Sequence, residues 1–190
     1  MKRALKIFAR IISSIATFPL VIAYTTTRKE SVFITFAQLL SFIPSTIGSY
    51  LRSAYYKRTL SSYGDMIHID FGSYFSHPEA SVGDHVYIGA YTIIGMSKIG
   101  RLTTIGSQVS ILSGKNQHHI ELGMPIQNIK GQFTETIIGE NCWLGNHSIV
   151  MADLGQQCIV GAGAVITKPF GDYDVIAGNP ARTIRNLQST

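Results

Sequence analysis

Residues 82–111 read VGDHVYIGAYTIIGMSKIGRLTTIGSQVSI, and within them an aliphatic residue followed by glycine returns at a period near six. The pairs are Val82-Gly83, Ile88-Gly89, Ile94-Gly95, Ile99-Gly100 and Ile105-Gly106, with Ile111 as the next aliphatic. After a gap the pattern resumes at Ile138-Gly139, Leu144-Gly145, Val150, Leu154-Gly155, Val160-Gly161 and Ile166. Two steps are short, Ile94 to Ile99 and Val150 to Leu154, as trimming at a corner would make them. A fixed short period is the signature of a repeat architecture, and it decides how the rest of the chain is read.

Each step supplies one inward aliphatic and one turn residue, and glycine tolerates backbone angles that other residues resist. Four positions after each aliphatic stands a second inward residue: Val86, Thr92, Thr103, Val109, Cys142, Ser148, Cys158 or Ala164. These side chains are mostly small or β-branched, as a narrow core requires. Three such strands close one triangular coil, and coils stack through backbone hydrogen bonds at about 4.8 Å. Each coil buries its neighbour's open face, so the stack is stable where one repeat is not. The register puts Cys142 directly above Cys158 as two small buried thiols. A disulfide between them is the alternative.

These residues resemble the hexapeptide-repeat acyltransferases. The resemblance covers roughly residues 76–185 and includes Gly161-Ala162-Gly163-Ala164-Val165-Ile166-Thr167-Lys168 and Gly178-Asn179-Pro180-Ala181-Arg182. It implies a mainly β chain: a left-handed parallel β-helix over 61–185, an N-terminal helical arm over 1–60 and a tail over 186–190. The left-handed sense comes from the resemblance alone, since ordinary parallel crossovers are right-handed.

The repeat is interrupted over 113–136, where the chain reads Ser113-Gly114-Lys115-Asn116-Gln117-His118-His119-Ile120. Loops leaving a rigid scaffold are favoured places for function. The resemblance implies a catalytic histidine here, with His118 the candidate and His119 the reserve; an exposed polar loop is the bland alternative. Histidine suits the task, because a hydroxyl or amine attacking a thioester must lose a proton to a base titrating near neutrality. The same likeness implies acetyl-CoA as acyl donor, held by Asn146, Ala162, Thr167, Lys168, Arg182 and Arg185. Lysine and arginine suit its phosphates, and small residues let its pantetheine arm lie close to the backbone. Trp143, the sole tryptophan, either flanks that groove or anchors packing.

The resemblance further implies direct transfer without an acyl-enzyme, a homotrimer with sites between subunits, and a saccharide acceptor. O-acetylation is the first reading, given a likeness to O-acetyltransferases of polysaccharide biosynthesis. N-acylation of an amino sugar is the nearest rival, and a non-catalytic β-helix scaffold is a third. Zinc chemistry of the γ-carbonic anhydrase kind is not expected. Positions 122–124 are Leu, Gly and Met, which leaves His118 and His119 without the partner that site needs.

Charge divides the chain. Residues 1–58 hold nine Lys or Arg and one acid, Glu30, whereas residues 59–190 hold seven cations and ten acids. Nucleic-acid binding would want a basic body, so it is not expected. A basic arm with apolar residues between its charges points to an anionic lipid surface. Lys2, Lys6 and Arg10 recur at helical spacing, Ser13 and Thr17 continue their polar stripe, and Leu5, Phe8, Ile12 and Ile15 lie opposite. Such a helix rests in a membrane interface, and the chain is expected at the cytoplasmic membrane face, in a reducing compartment that keeps its thiols free, with a lipid-linked saccharide as partner. A spanning helix, a leader cleaved after Val21-Ile22-Ala23, and helices packed on the body are the alternatives. Pro19 and Pro44 are expected to break the two uncharged runs of the arm.

Overall fold

A computed structural model describes residues 2–115, 122–125, 128 and 131–189, with side chains from residue 6 onward. Three helices come first: α1 (Lys2–Thr27), α2 (Glu30–Ser41) and α3 (Ser45–Thr59). Pro44 separates α2 from α3 as expected, but α1 runs through Pro19 without a break.

The remaining chain winds into coils of three short strands. The first coil is β1 (Ser62–Tyr63), β2 (His68–Ile69) and β3 (Tyr74–Phe75). The second is β4 (Ser81–Val82), β5 (Tyr87–Ile88) and β6 (Ile93–Ile94). The third is β7 (Ser97–Ile99), β8 (Thr104–Ile105) and β9 (Ser110–Ile111), and the fourth is β10 (Thr136–Ile138), β11 (Trp143–Leu144) and β12 (Ile149–Val150). Leu154, bridged to Ile138, opens the fifth coil, which continues through β13 (Ile159–Val160) and β14 (Val165–Ile166). Phe170, bridged to Leu154, opens the sixth. There β15 (Asp174–Ala177) is followed by β16 (Arg182–Asn186), which returns antiparallel beside it. Strands from successive coils pair in parallel, giving three sheets that form the faces of a prism.

The periodic aliphatics form the core. Ile88, Ile94, Ile105, Leu144, Val150 and Ile166 are fully buried, as are Thr92, Thr103, Ser148, Cys158 and Ala164 from the second inward set. Two of the buried hydroxyls find carbonyls in the next coil, Thr92 Oγ1 donating to Gly106 and Thr103 Oγ1 to Gly139, whereas Ser148 Oγ has no hydrogen-bond partner. Cys142 and Cys158 occupy equivalent places in adjacent coils, as the register Trp143 to Ile159 requires, and both are free thiols.

The repeating glycines have a different reason from the expected one. The left-handed backbone at the corner after the first face is taken by His85, Leu102, Asn141, Gln157 and Tyr173, none of them glycine. The glycine two positions earlier is needed wherever the next coil lies against it. A Cβ on Gly139 would stand 2.4 Å from the Gly155 carbonyl carbon, and one on Gly89 2.6 Å from that of Gly106.

The arm covers the open end of the prism. Tyr56 is buried, its ring 5.0 Å from that of Phe75, and the Phe75 N–H donates to Tyr56 Oη (3.2 Å). Arg52 is also wholly buried. Its guanidinium donates to the carbonyls of Leu40 (2.9 Å), Ser41 (3.3 Å), Ile43 (2.9 Å) and Ile69 (3.0 and 3.2 Å), which joins α2, its exit loop and the first coil. In α1 the polar stripe is exposed at Lys6 and Arg10 but turns inward where Ser13 and Thr17 continue it. Ser13 and Thr17 are buried, while Phe8, Ile12, Ile15 and Phe18 stand exposed.

Candidate functional site

One edge of the prism, where the third face turns into the first face of the next coil, carries the interruption. The corner residues there are His77, Met96, the stems of the 113–136 insertion, Met151–Asp153 and Thr167–Pro169, in successive coils. The sequence builds a firm root for the insertion. Thr136 Oγ1 donates to the Leu112 carbonyl (2.7 Å) and accepts from the Gly114 N–H (3.1 Å). The Thr134 N–H donates to the Ser113 carbonyl (3.1 Å), and Ser113 Oγ accepts from the Met96 N–H (2.8 Å). One coil further on, Asp153 Oδ1 accepts from the Ile137 N–H (2.8 Å).

At this root lies a cleft of about 220 Å³, bounded by Lys115, Glu135, Met151, Asp153, Thr167 and Pro169. It therefore reaches from the insertion down to the turn that carries Thr167 and Lys168. His118 and His119 lie outside the described residues; Lys115, three positions before His118, is on the cleft wall.

The other expected contacts fall in two places. Asn146 and Ala162 stand one above the other on the edge between the second and third faces. Asn146 Oδ1 accepts from the Ser107 N–H (2.9 Å), so this side chain also staples the third coil to the fourth. Its carbonyl accepts from the Gly163 N–H (2.9 Å). Beyond them the Gly178–Ala181 turn, with a cis Asn179–Pro180 peptide, hydrogen-bonds to Val165 in both directions. Arg182 follows opposite Ala177. Trp143 and Arg185 belong to the second face, in an outward row running Trp143, Ile159, Val175, Arg185. Trp143 is more than half exposed, so it is no packing anchor within this chain.

The last coils are well supplied with free cations. Among the described residues, Lys168, Arg182 and Arg185 pair with no carboxylate; Lys168 Nζ sits 5.7 Å from the Phe170 ring centre, and Arg182 donates to the Ala181 carbonyl (3.1 Å). The cysteines do not supply a nucleophile. Each thiol donates to a carbonyl of the next coil, Cys142 to Gly155 (3.1 Å) and Cys158 to Gly171 (3.0 Å). Contact with Cys158, together with burial, pushes the Cys142 thiol far above its ordinary range.

Two features escape a reading of the sequence. His77 Nδ1 lies 2.7 Å from Glu30 Oε1, the one acid of the arm, and its ring packs 5.1 Å from Phe133 of the insertion. On the second face, Asp70 receives hydrogen bonds from Tyr87 Oη (2.6 Å) and His68 Nε2 (3.1 Å), with His68 stacked on Tyr87. Neither residue pair has a regular spacing that would announce it.

Comparison with known proteins agrees with this architecture. The family model described as a hexapeptide repeat of succinyl-transferase matches residues 135–168. Chloramphenicol acetyltransferase of Agrobacterium fabrum is 30% identical over 104 residues, 46% of this chain and 50% of that protein. The chain thus spans about half the length of that relative. Galactoside O-acetyltransferase of Escherichia coli is 28% identical over 148 residues, 72% of this chain and 68% of that protein. A solved galactoside acetyltransferase in complex with coenzyme A superposes with a TM-score of 0.69 at 19% identity, covering 80% of this chain and 78% of the other. The shared fold gives the coil its left-handed sense. The repeat, the prism and the relatives agree: the chain has the left-handed β-helix fold and is similar to the hexapeptide-repeat acyltransferases.

Proposed function

We propose that this chain transfers an acetyl group from acetyl-CoA to a hydroxyl of a saccharide. The observation that carries the reading is the cleft joining the root of the insertion to the Thr167–Lys168 turn. It would set a base delivered by the insertion close to a donor lying along the last coils. Free Lys168, Arg182 and Arg185 suit the donor's phosphates, and exposed Ala162 leaves room for its pantetheine arm.

His118 is the proposed general base, with His119 in reserve. The acceptor hydroxyl adds to the thioester carbonyl as the imidazole takes its proton. The tetrahedral intermediate collapses with loss of the thiolate, which recovers that proton from the imidazolium. Ester and free thiol leave, and no acyl-enzyme forms.

A homotrimer belongs to the same proposal. Trp143 and Arg185 face outward on the second face, on the other side of the coil from the cleft edge. A neighbouring copy would let both surfaces serve one donor. The exposed apolar side of α1, with Lys6 and Arg10 beside it, supports a chain seated at the cytoplasmic membrane face and a lipid-linked acceptor.

The test is thiol release from acetyl-CoA with a panel of sugars and amino sugars, using wild type, His118→Ala and His119→Ala. The expected outcome is turnover with a hydroxyl acceptor and a loss of about 10²–10⁴-fold in one of the two variants with donor binding retained. Turnover only with amino sugars would replace O-acetylation by N-acylation. No turnover and no donor binding would leave a scaffold.

A further inference from the structure

A groove of about 620 Å³ lies between α1, α3 and the turn joining β1 to β2, at the far end of the prism from the free cations of the last coils. Four cations line it, Lys6 and Arg10 from α1 and Lys57 and Arg58 from α3, against a single acid, Asp65. Lys57 Nζ pairs with Asp65 (3.1 Å), while Arg58 is held by Ser14 Oγ and the Ala54 carbonyl. Arg10 touches only the weakly accepting sulfur of Met66 (3.1 Å). Three positive charges are thus left without a counter-ion among the described residues.

Tyr63 lines the same groove, and its hydroxyl is buried with no hydrogen bond of good geometry. The neighbouring Ser53 hydroxyl is a weak partner for it and itself donates to the Ile67 carbonyl (3.4 Å). A buried hydroxyl so weakly satisfied is costly, and a ligand oxygen would be a stronger acceptor for it. The groove is also amphipathic. Ile7 and Ile11 form part of its wall and continue into the exposed run of Phe8, Ile12, Ile15 and Phe18.

We propose that this groove seats the phosphate headgroup of an anionic bilayer lipid, with the apolar side of α1 among the acyl chains. The inference rests on the membrane reading given above and adds a discrete headgroup site to it. Cationic guanidinium and ammonium groups suit a phosphate diester, and the tyrosine hydroxyl can donate to one of its oxygens.

The test is partition of the full chain onto phosphatidylcholine vesicles with and without phosphatidylglycerol. We expect at least about tenfold tighter binding to the acidic vesicles. Lys6→Glu with Arg10→Glu should remove that preference, and Tyr63→Phe, which keeps the ring and so the fold, should reduce it several-fold. Arg28→Glu with Lys29→Glu, an equal charge change outside the groove, should retain it. Equal losses in the two charge-reversed pairs, or no effect of Tyr63→Phe, would overturn the site in favour of diffuse attraction. Equal binding to neutral vesicles would overturn the site while leaving the membrane reading intact; binding to neither would overturn both. Displacement by millimolar inorganic phosphate would assign the groove to a soluble anion and overturn the lipid.

Discussion

Arg52 is the residue on which the arm turns. All three nitrogens of the buried guanidinium donate to carbonyls, so the charge is held without a carboxylate. Arg52→Met keeps the length but removes every donor, leaving the carbonyls of Ile43 and Ile69 short of partners. A loss of about 3–5 kcal/mol is expected, seen as a lower urea midpoint and faster proteolysis within α1–α3. Arg52→Lys should recover only part of it, because one ammonium cannot span all four carbonyl positions.

The Asp70 cluster gives a pH signature. Partial burial opposes ionisation of Asp70, but hydrogen bonds from Tyr87 and His68 outweigh it and hold the carboxyl below its usual range. The same bond pushes the Tyr87 phenol up to about 12. A depressed carboxylate stabilises the folded state above the unfolded pKa, near 3.9, and that contribution is lost as pH falls through the folded value. Because Asp70 is more than a third exposed, the effect is modest, about 0.5–1 kcal/mol. Tyr87→Phe should therefore destabilise at pH 7, and the difference from wild type should shrink in urea titrations as pH falls through the depressed Asp70 value.

At the scale of the element, the coil is held together by close approach. Gly139→Ala puts a methyl 2.4 Å from the backbone of the next coil and should cost about 1–3 kcal/mol or more. Gly171→Ala meets nothing within 4 Å and should be nearly neutral, as thermal unfolding of the two variants will show. This spacing is also why the coil was legible. A prism one side chain wide admits only small or branched residues inward and only glycine where coils touch, so the period is written into the sequence. The first coil was less legible because Ile69-Asp70 and Phe75-Ser76 stand where later coils carry aliphatic-glycine pairs. Phe75 is large because it meets Tyr56 of the arm rather than another coil.

The arm shows the limit of a helical wheel. The wheel says that Ser13 and Thr17 share a side of α1 and that Phe8, Ile12 and Ile15 share another. It does not say which side meets protein. The small polar side is the one buried, and the apolar side is left open. Arg52 was illegible for a related reason: its partners are carbonyls, which every residue carries.

For the molecule as a whole, the sequence shows where the repeat is interrupted but not how the parts around the interruption meet. The interruption at 113–136 and the Thr167–Lys168 turn converge on one cleft. Arg185 and Trp143 lie on a different face, because β16 folds back along the second sheet rather than continuing the coil. A stretch of sequence shows the repeat but not such a reversal. The account places a nucleotide-tailed donor along the edge marked by Asn146 and Ala162. The most direct measurement is a calorimetric titration of coenzyme A into the purified chain and its Ala162→Trp variant. Saturable binding of one coenzyme per chain, weakened at least about tenfold by the tryptophan that fills the edge, is the expected result. No saturable binding to the folded wild type, or equal affinity in the variant, would contradict it.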